Sequence, residues 1–88
     1  AAHLLGGMLA FARQRFPEAE RCYRRILEVA PEHDLGRAFL AESLIAQKRW
    51  REAEELLGGV RSDSAAARFA AELATGLRLG IFQQAAHA

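Results

Sequence analysis

Eighty-eight residues, 51% hydrophobic and 26% charged, make one small domain or a segment of a repeat array, and this balance argues against intrinsic disorder. Twelve basic and eleven acidic side chains leave a formal net charge of +1, which removes the strong overall field that would draw nucleic acid or an anionic membrane surface. No apolar run approaches the roughly 20 residues needed to span a bilayer.

Alanine and leucine dominate while β-branched residues are few, a bias toward helix. Leu4, Leu5, Met8, Leu9, Phe11 and Ala12 recur at helical spacings, which predicts a first helix over 4–12. Gly6 and Gly7 inside it each cost roughly 1 kcal/mol of propensity, so they are expected where another helix comes close. Pro17 has no backbone donor and a preset φ, which suits the first turn of a second helix. Ala19, Tyr23, Ile26, Leu27 and Ala30 mark the apolar side of that helix, and Pro31 ends it. Asp34 is expected to cap a third helix carrying Leu35, Ala38, Phe39, Ala41, Leu44 and Ile45. The polar turn Gln47-Lys48-Arg49 leads into a fourth, from Trp50 through Ala53, Leu56 and Leu57, which Gly58 and Gly59 stop. Ser62, Asp63 and Ser64 offer caps for a fifth helix with Phe69, Leu73, Leu77 and Leu79, closed by Gly80. The remaining IFQQAAHA is too short for a complete packed helix, and the chain reads as cut there, as a piece of a longer protein of bacterial type.

Chemistry-bearing residues are scattered. Arg13, Arg15, Arg21, Arg24 and Arg25 are interleaved with Glu18, Glu20 and Glu28 at spacings that allow pairs such as Glu18 with Arg21 and Glu20 with Arg24. That predicts a solvated mixed-charge face rather than a nucleic-acid stripe. The lone Cys22 is expected as a small packing residue; it favours a reducing compartment, the cytoplasm, and is compatible with the periplasm as well. His3, His33 and His87 lie too far apart for a zinc site and are expected on the surface or in loops. No lysine with serine or threonine follows either glycine pair as in a phosphate loop, and Ser43, Ser62 and Ser64 have no histidine or acid at a recognisable spacing. Glu18, Glu20, Glu52, Glu54 and Glu55 are expected as exposed helix charges rather than an acid and base pair. No cofactor, metal or catalytic group is expected, and catalysis would belong to a neighbouring domain.

One motif recurs. Residues 16–20 read FPEAE and residues 50–54 read WREAE, so Phe16 and Trp50 are 34 residues apart, as are Ala19 and Ala53. Phe82 and Ala85 repeat the aromatic-x-x-alanine spacing 32 residues further on. This period resembles the tetratricopeptide repeat family, whose unit is an antiparallel helix pair of 34 residues. Gly7, Phe16, Ala19, Tyr23 and Pro31 match its pattern in a first unit, Leu40, Ala41, Trp50, Ala53 and Leu57 in a second, and Gly80, Phe82 and Ala85 in a third. His3 stands where the family has tryptophan, Gly6 replaces a leucine, and Gly58 and Gly59 replace the second closing proline. The resemblance implies an all-α fold of helix-turn-helix repeats stacked as a short right-handed α-solenoid, divided into repeat one at 1–33, repeat two at 34–63 and a truncated repeat three at 64–88. A helix pair cannot bury its apolar side alone, so each aromatic should close a joint between neighbours, burial worth roughly 1.5 to 3 kcal/mol.

In the resembled family the first helix of each pair lines a concave groove that receives a peptide or helix. Carried over by helical facing, Leu4, Met8, Phe11, Leu35, Ala38, Glu42 and Ile45 would line it here. Members that clamp a C-terminal carboxylate place lysine, asparagine and arginine on this face, whereas Leu4 and Met8 take such places in this chain, so that clamp is not expected. The resemblance implies a non-catalytic protein interaction module whose apolar groove takes an amphipathic segment. The alternative is a structural scaffold that self-associates through the open end of the array as a homo-oligomer, the same apolar residues being covered by an adjoining segment or a second copy. The order of units is also similar to the periplasmic repeat region of outer-membrane barrel proteins that assemble surface lipoproteins, and type III secretion chaperones are another repeat family with apolar grooves.

Overall fold

A computed structural model describes residues 2–85, the last two by backbone alone. They form six helices in succession: α1 Ala2–Ala12, α2 Phe16–Val29, α3 Asp34–Ala46, α4 Trp50–Gly58, α5 Ala67–Leu79 and α6 Ile81–Ala85. No strand occurs among them. Each helix packs on the next, and α5 also reaches back to α3. The all-helical expectation is met, and among the described residues no helix is long and apolar enough to cross a membrane.

The turns that start α2 and α4 share one construction. Gln14 and Lys48 both adopt left-handed backbone, at φ 61° and 64°. Around them the Arg15 amide donates to the Ala10 carbonyl and the Gln14 amide to Phe11, while Arg49 donates to Leu44 and Lys48 to Ile45. These paired bonds are a Schellman cap, which satisfies the last carbonyls of a helix and reverses the chain. Gly80, at φ 72°, takes the same place between α5 and α6. So the three left-handed residues fall two positions before Phe16, Trp50 and Phe82, and the aromatic repeat is also a repeat of backbone geometry.

Only glycine adopts that geometry without strain; a side chain costs on the order of 1 kcal/mol there. Lys48 is exposed and its side chain makes no hydrogen bond or ion pair among the described residues. Lys48→Gly is therefore expected to raise stability by roughly 0.5–1 kcal/mol, read as a higher midpoint in urea denaturation. An unchanged or lower midpoint would contradict this account of the turn.

The core runs through the helix joints. Ala19, Tyr23, Ala38, Leu40, Ala41, Leu44 and Ala53 are completely buried, with Ala10, Ile45, Leu57, Ala66, Ala70 and Leu73 nearly so. Tyr23 stacks on Phe39 with ring centroids 5.6 Å apart, and Phe39 meets Phe69 edge-on at 5.3 Å, so aromatic contact links α2, α3 and α5. Phe16, Trp50 and Phe82, the markers of the repeat, are only partly buried.

Several local expectations are corrected. The cap of α3 is His33, whose Nδ1 accepts the Gly36 amide at 2.9 Å. Asp34 is instead buried, taken by Arg61 through its backbone amide at 3.4 Å and its Nε at 2.9 Å. This pins the start of α3 to the linker before α5. In that linker the Ser64 hydroxyl accepts the Ala66 amide, and α5 begins only at Ala67 without a side-chain cap. Leu79, expected on the apolar side of α5, is 61% exposed, as Gly80 turns the chain away after it. His87, and the side chain of Ala85, lie outside the described residues.

Candidate functional site

A shallow cavity of about 220 Å³ lies where α1, α2 and α3 meet. Met8, Phe11 and Ala12 reach it from one face of α1, spaced three and four residues apart. Phe39 and Glu42 reach it from α3 at a spacing of three, and Tyr23 from α2 completes its lining. Phe11 is held edge-on by Phe16 at 5.0 Å across the first turn. The walls are therefore fixed by core contacts, while Met8 stays 42% exposed at the rim.

Of the seven residues expected to line a groove, Met8, Phe11 and Glu42 come together here. Leu4 and Leu35 are partly exposed outside this lining. Ala38, without accessible surface, and Ile45, 6% exposed, belong to the core and have little to offer a ligand. Phe39, Ala12 and Tyr23 were not among the expected lining. Phe39 could have been found from the spacing of Leu35, Phe39 and Glu42, which marks one helix face turned a single residue from the Ala38 side.

Two polar groups here are without partners among the described residues. Glu42 is half-buried and makes no ion pair or hydrogen bond among the described residues. Burial raises its carboxyl above the ordinary carboxylate range. The Tyr23 hydroxyl is fully buried and has no hydrogen-bond partner among the described residues. Burial first, then the charges of Glu42 and Cys22, push it up to about 12. An unpaired buried hydroxyl costs roughly 1–3 kcal/mol, so most such groups in proteins are satisfied.

The remaining charges show the contrast. Glu20 accepts Gln47 at 3.0 Å, Arg49 at 2.8 Å and Arg24 at 2.9 Å. Burial pushes its carboxyl up, but these hydrogen bonds and the Arg49 and Arg24 charges outweigh that and hold it below the ordinary range. Arg49 also grips Glu52 with two bonds, at 2.8 and 2.9 Å. Glu20 is thus not a water-facing charge but ties α2 to the turn before α4. Glu18 pairs with Arg15 at 3.8 Å rather than with Arg21, while the expected pair of Glu20 and Arg24 forms. Cys22 is a free, half-buried thiol, and among the described residues no three His, Cys, Asp or Glu side chains gather to hold a metal ion.

A family model described as tetratricopeptide repeat matches residues 10–75, three quarters of the chain: the last three residues of α1, all of α2, α3 and α4, and α5 as far as Thr75, with Met8 of the cavity lying before the match. No curated protein and no solved structure is significantly similar to the chain.

Proposed function

The chain belongs to the tetratricopeptide repeat family, and from that premise we propose that it is a non-catalytic module that receives a protein segment, a peptide or an amphipathic helix, between α1 and α3. Units at 1–33, 34–63 and 64–88 are the division this reading uses, supported by the shared turn at Gln14, Lys48 and Gly80. The observation that carries the binding reading is the cavity walled by Met8, Phe11 and Phe39, because it offers apolar surface that a side chain of the partner could fill. Met8 at its rim is an adaptable contact.

The test is selection from a library of random 12-residue peptides on the immobilised chain, followed by titration of the selected peptides in solution. Saturable binding is expected, weakened roughly fivefold or more by Met8→Ser, a change at an exposed rim that leaves the melting curve in place. No saturable peptide, or binding indifferent to Met8→Ser, would overturn the groove. A second reading, self-association, draws on Leu5 and Leu9, one turn apart on α1 and 62% and 59% exposed. Sedimentation at several concentrations separates the two, since only self-association raises the mass without peptide.

A further inference from the structure

Glu42 gives the cavity a chemical preference that an apolar groove alone would lack. Every other acid that the fold takes partly out of water is matched: Glu20 by Arg24, Arg49 and Gln47, and Asp34 by Arg61. Glu42 is half-buried beside Met8, Phe11 and Phe39 with no cation or donor from the described residues. Tyr23, with no accessible surface of its own, packs behind the same cavity, and its hydroxyl is buried without a hydrogen-bond partner among the described residues. A carboxylate set among apolar side chains is complementary to a long basic side chain, whose methylene stem covers apolar surface while its head meets the acid.

We propose that this cavity seats a lysine or arginine of the bound protein segment, its stem against Met8, Phe11 and Phe39 and its cationic head on the Glu42 carboxylate. The proposal rests on the groove reading above and sharpens it: the segment is apolar with one basic anchor, the opposite of a segment recognised by its own carboxylate. Burial raises the Glu42 carboxyl, the direction expected of an acid that has no partner until a ligand brings one.

The experiment uses the same random 12-residue library on three immobilised forms of the full chain: the natural sequence, Glu42→Gln and Glu42→Lys. Peptides selected on the natural sequence should share one lysine or arginine flanked by apolar residues. Replacing that residue in the best peptide with norleucine, which keeps the stem and removes the charge, should weaken binding roughly tenfold or more. Glu42→Gln should weaken the basic peptide by a similar factor, and should not affect the norleucine peptide. Glu42→Lys should instead select peptides with aspartate or glutamate at the anchor. Saturable peptides without basic enrichment, or a norleucine peptide that binds equally well, would overturn the anchor and leave the groove standing. Failure to select any saturable peptide would overturn both.

Discussion

Leu44→Ala is expected to cost about 2–5 kcal/mol, the range for removing a buried leucine from a packed core. Leu44 has no accessible surface, and it sits in the last turn of α3, the helix that packs against α2, α4 and α5. An 88-residue domain has a net stability on the order of 5–10 kcal/mol, so the loss is a large fraction of the whole. The melting temperature should fall by on the order of 10–25 °C. Trp50→Ala, by contrast, truncates a side chain that remains partly exposed. Its cost should be smaller, roughly 1–3 kcal/mol. Urea denaturation of the two variants side by side decides the order. A larger loss at Trp50 would mean that the aromatic joint, rather than the buried side of α3, is the centre of the fold's stability.

That order departs from what the repeat pattern alone implies. Phe16, Trp50 and Phe82 are conspicuous in the sequence because a turn of fixed geometry precedes each of them, not because they are the most buried residues. Periodicity reports where helices begin, and the helix order was legible for that reason. Choices between neighbouring residues were not. His33 and Asp34 can both cap a helix, and which one does so depends on Arg61, 27 residues further along, drawing Asp34 away. Likewise Ala38 and Phe39 differ by one step of rotation about α3, and the packing of Phe39 between Tyr23 and Phe69 settles which one meets the cavity. The stripe of Leu4, Met8 and Phe11 was legible from spacing, but a Glu42 unpaired among the described residues, set in one cavity with Phe39 and Tyr23, exists only once three helices have come together.

Gly6→Ala and Gly7→Ala, adjacent substitutions in one helix, are expected to act in opposite directions. Each gains about 1 kcal/mol of helix propensity. At Gly6 the new methyl would lie 3.6 Å from the Cys22 sulfur, an ordinary contact, so the gain is kept in large part. At Gly7 it would lie 2.7 Å from Cζ of Tyr23 and nearer still to Cε1. That ring has no free side to retreat to, because Tyr23 is fully buried and stacked on Phe39. Overpacking of this kind costs typically 1–3 kcal/mol and here forces α1 and α2 apart, so a net loss of about 1–3 kcal/mol is expected for Gly7→Ala. Because Tyr23 and Phe39 both line the cavity, the same variant should also weaken a groove-bound peptide, while Gly6→Ala should leave its affinity in place. Equal denaturation midpoints for the two variants would refute the close approach of α1 and α2. A lowered midpoint for Gly7→Ala with full peptide affinity would separate the helix contact from the binding site that it is held to shape.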